Sequence, residues 1–179
     1  VCDLRNNLDS WNAALVLGAP HTGKSCAIKL LANALPLLTE AQLNTRPVGL
    51  GRGSQTVTSI APYVLNPMAL TLTALFGTGD TPRDDNDACG GLLRHTLLRC
   101  CESAREYPQE QQWLIFDGPV DSSWIDGMNT MFGSSRALCL PTGESIPIPR
   151  STKLIFETCS ISGATPGVIS RMGVVSIGD

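Results

Sequence analysis

Gly18-Ala19-Pro20-His21-Thr22-Gly23-Lys24-Ser25 fits the pattern GxxxxGK[ST] without deviation. Its two glycines let the backbone wrap a phosphate group. Successive N–H groups and the dipole of a following helix then meet the phosphate charge. In such a P-loop the lysine, Lys24, reaches the β- and γ-phosphates, and the Ser25 hydroxyl ligates Mg²⁺. The chemistry requires a strand before the loop and a helix after it. Ala13-Ala14-Leu15-Val16-Leu17 supplies a buried strand. Ser25 to Leu35 reads as a helix with Ala27, Ile28, Leu31 and Leu35 on one face, and Pro36 is expected to end it. The nucleotide-binding residues are therefore Gly18, Ala19, Pro20, His21, Thr22, Gly23, Lys24, Ser25 and Cys26. His21 occupies a variable loop position and is given no catalytic role.

Further along the chain, Trp113-Leu114-Ile115-Phe116-Asp117 is an apolar strand ending in an acid. Asp117 is placed with Ser25 as a holder of the Mg²⁺ shell, from the strand next to the P-loop. Hydrolysing ATPases of the AAA+ type put glutamate directly after that aspartate, where it activates the attacking water. Here Gly118 and Pro119 follow. Glycine accepts no proton, and a general base contributes about 10²–10⁴-fold to rate. The chain is expected to bind a nucleotide far better than it hydrolyses one. The alternative is that Asp121 or Glu157 substitutes as base. Glu157, near the end of a strand expected beside the P-loop strand, is also placed among the nucleotide-binding residues.

The rest of the chain alternates strand-like and helix-like runs, which argues α/β with a mainly parallel sheet. Thr56–Leu65, Gln112–Phe116, Lys153–Thr158 and Gly173–Ile177 read as further strands. Gly91–Glu106, Ser122–Phe132 and Pro166–Arg171 read as helices. Leu138–Leu140 and Ser145–Ile148 flank a Pro-Thr-Gly-Glu turn, a β-hairpin expected to project from the sheet. The expected fold is a P-loop NTPase with five parallel strands between helices. Lys153–Thr158 should lie beside the P-loop strand, with Gln112–Phe116 on the same side. The loop from Gly77 to Gly90 is expected to be exposed and mobile.

Composition narrows the partners. The 179 residues fit one domain, residues 1–179, with 42% hydrophobic and 16% charged residues and a net charge of −3. No basic run tracks a nucleic-acid backbone, and no apolar stretch approaches the ~20 residues that span a bilayer. Neither nucleic acid nor membrane is an expected partner. Seven cysteines without a CxxC pair, and two histidines, point to neither a disulfide framework nor a zinc site. A reducing, intracellular setting is expected. Trp11, Trp113 and Trp124 are expected core anchors, and Cys100 and Cys101 helix-packing residues. Asp84-Asp85-Asn86-Asp87 is read as a solvated loop, since the rest of a calcium loop is missing. Without an initial Met, and ending just after an apolar run, the chain is read as a domain excised from a much longer protein.

Trp113–Gly143, WLIFDGPVDSSWIDGMNTMFGSSRALCLPTG, resembles the second AAA+ module of dynein heavy chains. So do Leu154–Val175, LIFETCSISGATPGVISRMGVV, and Leu65-Asn66-Pro67 with Leu75-Phe76-Gly77. The spelling LIFET is closer to axonemal than to cytoplasmic heavy chains. The chain departs from the family at Met68, Ala88 and Gly133-Ser134-Ser135. The resemblance implies the large α/β subdomain of an AAA+ module, whose helical lid lies outside residues 1–179. It implies ATP or ADP with Mg²⁺, held in a ring that drives movement along microtubules. Implied partners are the neighbouring AAA+ modules, microtubules through the full motor, and other dynein subunits. The implied setting is the cytoplasm and cytoskeleton, in a cilium or flagellum axoneme. It also places an arginine finger at Arg171, acting on the preceding module. On the residues alone, Arg171 is a surface residue capping a short helix, and an autonomous P-loop NTPase or phosphotransferase is the competing function.

Overall fold

A computed structural model describes residues 1–45, 57–78, 90–133 and 135–178, with side chains described to residue 38 in the first stretch. The strands are β1 (Ala13–Leu17), β2 (Ser59–Leu65), β3 (Glu110–Asp117), β4 (Ala137–Cys139), β5 (Ser145–Pro147), β6 (Thr152–Thr158) and β7 (Gly173–Ser176). The helices are α1 (Cys2–Ser10), α2 (Lys24–Thr45), α3 (Leu72–Phe76), α4 (Leu92–Glu106), α5 (Ser122–Ile125), α6 (Asn129–Phe132) and α7 (Pro166–Ile169). Five strands form one parallel sheet in the order β2-β3-β6-β1-β7. The strand beside β1 is β6, with β3 next, as the sequence predicts. Among the described residues no helix is long and apolar enough to cross a membrane.

Period-2 alternation explains why both faces of this sheet are covered. Leu15, Leu114, Phe116, Leu154 and Phe156 join one core with residues of α3–α7 and the hairpin. Ala14, Val16, Trp113, Ile115 and Ile155 join the other, with Leu4 and Leu8 of α1 and Ile28 and Leu31 of α2. Phe116 and Phe156 stack with ring centroids 4.7 Å apart, and Trp124 packs on both rings. These contacts fix β3 and β6 beside each other, which matters because both carry carboxylates at their ends.

Several local expectations are corrected. The helix after the P-loop does not stop at Pro36 but runs to Thr45. Proline removes one intrahelical hydrogen bond. The flanking Ala and Leu residues are strong helix formers that carry the helix through. Ser122–Phe132 is not one helix. A 3-10 turn at Asp126–Met128 separates α5 from α6, where the Phe76 ring packs so close to Gly127 that a β-carbon would lie 3.0 Å from its Cζ. The hairpin does not simply project, because Leu138, Leu140, Ile146 and Ile148 are buried in the main core. Arg94 of α4 donates to Glu144 at 2.8 Å and ties the hairpin turn down. Trp11 is no core anchor: it is 43% exposed, covering Gly173 at the start of β7. The helix α1, the short α3 and the 3-10 turn at Pro67–Ala69 were not foreseen. Asp84-Asp85-Asn86-Asp87, Ala88, Ser134, Thr56 and most of the 77–90 loop lie outside the described residues.

Candidate nucleotide site

The P-loop joins the end of β1 to the start of α2. Its entry is pinned by the Gly18 N–H donating to the Thr158 carbonyl at 3.2 Å, which holds the loop against the end of β6. Gly18 is required here. A β-carbon on it would lie 2.7 Å from the Ile177 carbonyl oxygen and 2.8 Å from Thr22 Oγ1. Thr22 Oγ1 in turn donates to the Ala19 carbonyl at 2.8 Å, closing the loop on itself. His21 takes a positive φ of 68°, one of two non-glycine residues to do so among those described.

Lys24 is buried, and its Nζ donates to the carbonyls of Gly18 at 2.9 Å and Ala19 at 2.8 Å. An ammonium has three protons, so one remains for an anion held by the loop. The first hydrogen bond of the α2 turn runs from Ala27 N–H to the Gly23 carbonyl at 2.8 Å. The N–H groups of Lys24, Ser25 and Cys26 precede it and have no intrahelical acceptor. Unpaired N–H groups at the start of a 22-residue helix, beside a buried cation, fit a phosphate group.

Beside the loop lies a cleft of about 190 Å³ lined by Ser25, Ile28, Lys29, Val64, Ile115, Asp117 and Glu157. The β3–β6 register sets Asp117 directly against Glu157. Ser25 Oγ donates to Glu157 Oε1 at 2.6 Å, and Glu157 is only 8% exposed. The Asp117 side chain is exposed and makes no hydrogen bond to a described residue. Three oxygen-bearing side chains converging on one cleft fit Mg²⁺, which takes one or two carboxylates and keeps water and phosphate oxygens for the rest. No cluster of three or more His, Cys, Asp or Glu placed for a metal occurs among the described residues, and Mg²⁺ does not require one.

Gly118 follows Asp117 at φ +154°, its N–H donating to the Glu157 carbonyl at 3.1 Å. A β-carbon there would lie 3.1 Å from Asn66 Oδ1, an atom that also accepts from the Met68 N–H. Of the two substitute bases considered, Asp121 is committed elsewhere. It caps α5 through Ser123, whose hydrogen bonds hold its carboxyl below the usual range. It does not line the cleft; Glu157 does. The sequence reasoning missed the Ser25–Glu157 bond, the Asn66 carboxamide against Gly118, and Lys29 in the cleft. For Lys29 a signal existed, since it stands one helical turn after Ser25. The other two depend on which strands are neighbours.

Arg171 lies apart from these residues. It precedes β7, whose first residues pair with the start of β1, so it sits at the opposite end of the sheet from the P-loop. β1 alone spans about 16 Å. The exposed Arg171 guanidinium donates to Asn129 Oδ1 at 3.2 Å and to the Asn129 carbonyl at 3.4 Å. Burial raises the Cys100 thiol to about 12, and the residue is fully enclosed in the packed face of α4. A larger groove of about 450 Å³, between Leu72, Phe76, Ser123 and Leu140, is apolar and holds no converging charges.

No protein-family model matches the chain. It is similar to dynein axonemal heavy chain 2 of Homo sapiens, 31% identical over 175 residues, covering 98% of this chain and 4% of the relative. Dynein axonemal heavy chain 3 of Mus musculus is 32% identical over 161 residues, covering 90% and 4%. Dynein axonemal heavy chain 12 of Homo sapiens is 30% identical over 161 residues, covering 90% and 5%. The chain thus spans about one twentieth of the length of the curated relatives it matches.

Proposed function

Starting from a chain homologous to axonemal dynein heavy chains over nearly its whole length, we propose that it is an ATP-binding ring module of such a motor, the second of its AAA+ modules. The module holds Mg·nucleotide and hydrolyses it slowly or not at all. The observation that carries this is the pairing of a complete phosphate cradle with an incomplete catalytic centre. Lys24 lies within the loop, and Ser25, Asp117 and Glu157 share one cleft. The position after the acid is a glycine pressed against Asn66. Ser25 and Asp117 would hold Mg²⁺, which would supply neutralisation of the phosphate charge. The protein supplies the cradle and the cation's ligands, and Gly118 supplies no base. ATP or ADP occupies the loop, adenine contacts and a lid come from chain beyond residues 1–179, and the working location is a ciliary or flagellar axoneme.

Arg171 completes the proposal as a finger for the preceding module. Its place at the far end of the sheet prevents it from serving its own P-loop. The neighbouring modules of the same heavy chain are the direct partners, with microtubules and other dynein subunits engaged through the full motor. The competing function is an autonomous P-loop hydrolase or phosphotransferase. A single measurement separates the two. The heavy chain carrying this module is loaded with radiolabelled ATP while its other P-loop lysines are mutated. The label should be retained and recovered as ATP over many turnovers of the unmutated motor. Steady release of labelled ADP and phosphate from this site would contradict the proposal.

A further inference from the structure

We infer that Glu157 is a positioning residue that orients the Ser25 hydroxyl for Mg²⁺, and is not a substitute general base. The inference rests on the Mg·nucleotide proposal above. A serine hydroxyl has one proton and two lone pairs. Here the proton is committed to Glu157 Oε1 at 2.6 Å, the length of a charge-assisted O–H···O⁻ bond. That bond fixes a hydroxyl that would otherwise rotate, and it leaves both lone pairs of Ser25 for a cation in the cleft.

The position of Glu157 is itself fixed. It lies on the strand between β1 and β3, paired with Val16 on one side and Asp117 on the other, and is 92% removed from solvent by the 8% exposure of its residue. Asp117 makes no such bond to a described residue and is exposed. The two carboxylates in the cleft therefore divide the work. Glu157 holds the serine, and Asp117 faces the solvent side, where a hydrated ion keeps its waters. An outer-shell partner that fixes a metal ligand is worth about 10–100-fold in metal affinity.

The test is a titration of ATP into the protein with Mg²⁺ and with EDTA, using wild type, Glu157→Gln, Glu157→Ala, Ser25→Ala and Lys24→Ala. Glutamine keeps an acceptor oxygen for the Ser25 proton but cannot act as a base. Its Mg²⁺-dependent gain in affinity should stay within about threefold of wild type, whereas Glu157→Ala should lose about tenfold or more. Affinity in EDTA should be unchanged in both, which also reports that the variants are folded. Ser25→Ala should show the same loss, and Glu157→Ala added to it should cost nothing further. If Glu157→Ala does not fold, the glutamine and Ser25→Ala variants carry the comparison. The inference is overturned if glutamine is as damaging as alanine, or if alanine matches wild type. It also falls if glutamine leaves binding intact but abolishes the slow turnover, since Glu157 would then be a base. Equal binding by wild type and Lys24→Ala would remove the nucleotide proposal itself, and the inference with it.

Discussion

Gly118 is where the chemistry and the backbone meet. Its φ of +154° lies in a region that is almost confined to glycine, and the Asn66 carboxamide fills the space a side chain would need. Gly118→Ala should therefore destabilise the fold by about 1–3 kcal/mol, read as a lower unfolding temperature in a thermal melt. Gly118→Glu carries the same strain and must also displace Asn66. Restoring the missing glutamate is thus expected to give a less stable protein with no gain in hydrolysis, and a clear rate increase would show that the base alone was lacking. At this scale the sequence spoke clearly for contiguous residues. Gly18 to Ser25 sit in one loop, so their spacing is their geometry. The Ser25–Glu157 bond joins residues 132 apart, and only the strand order brings them together.

Among elements, the central strands β1, β3 and β6 were readable because their apolar runs are buried on both faces of a parallel sheet. The helices were less so. Pro36 is a stop signal by local rules, yet α2 passes through it on strong helix formers, and the helical pattern over Ser122–Phe132 is broken by a 3-10 turn at Gly127, where the Phe76 ring packs. The Phe76 contact is a tertiary one and leaves no local trace in the sequence around Gly127. The hairpin was legible as β4 and β5, but its burial was not: four of its apolar residues enter the main core, and Arg94 pairs with Glu144 at its turn. The Arg94 side chain is 8% exposed and the Glu144 side chain 34%. Glu144→Ala removes a charged hydrogen bond from a largely dry guanidinium and should destabilise by about 1.5–3 kcal/mol. Denaturant unfolding of the variant measures this directly. A change under 0.5 kcal/mol would mean that core packing alone holds the hairpin.

Taken as a whole, the molecule sets the two proposed roles at opposite ends of its sheet. The P-loop and the cleft lined by Ser25, Asp117 and Glu157 lie at the C-terminal ends of β1, β3 and β6, and Arg171 lies beyond the N-terminal end of β7. A guanidinium given to a neighbour's γ-phosphate is worth about 10³–10⁵ in rate. Arg171→Ala in the full motor should lower the turnover of the preceding module by at least about a hundredfold while leaving nucleotide binding by Lys24 and Ser25 intact. Unchanged motor ATPase and gliding velocity would return Arg171 to the role its bonds with Asn129 describe, a helix-end contact.

The central claim is that this loop holds a nucleotide through Lys24. Calorimetric titration of Mg·ATP into wild type and Lys24→Ala, in a heavy-chain segment long enough to include the lid, tests it most directly. The buried Lys24 ammonium is the one cation placed within the loop among the described residues. Its loss should weaken binding about a hundredfold, the equivalent of a charged hydrogen bond of about 3 kcal/mol. Lys24→Ala binding as tightly as wild type would contradict the account.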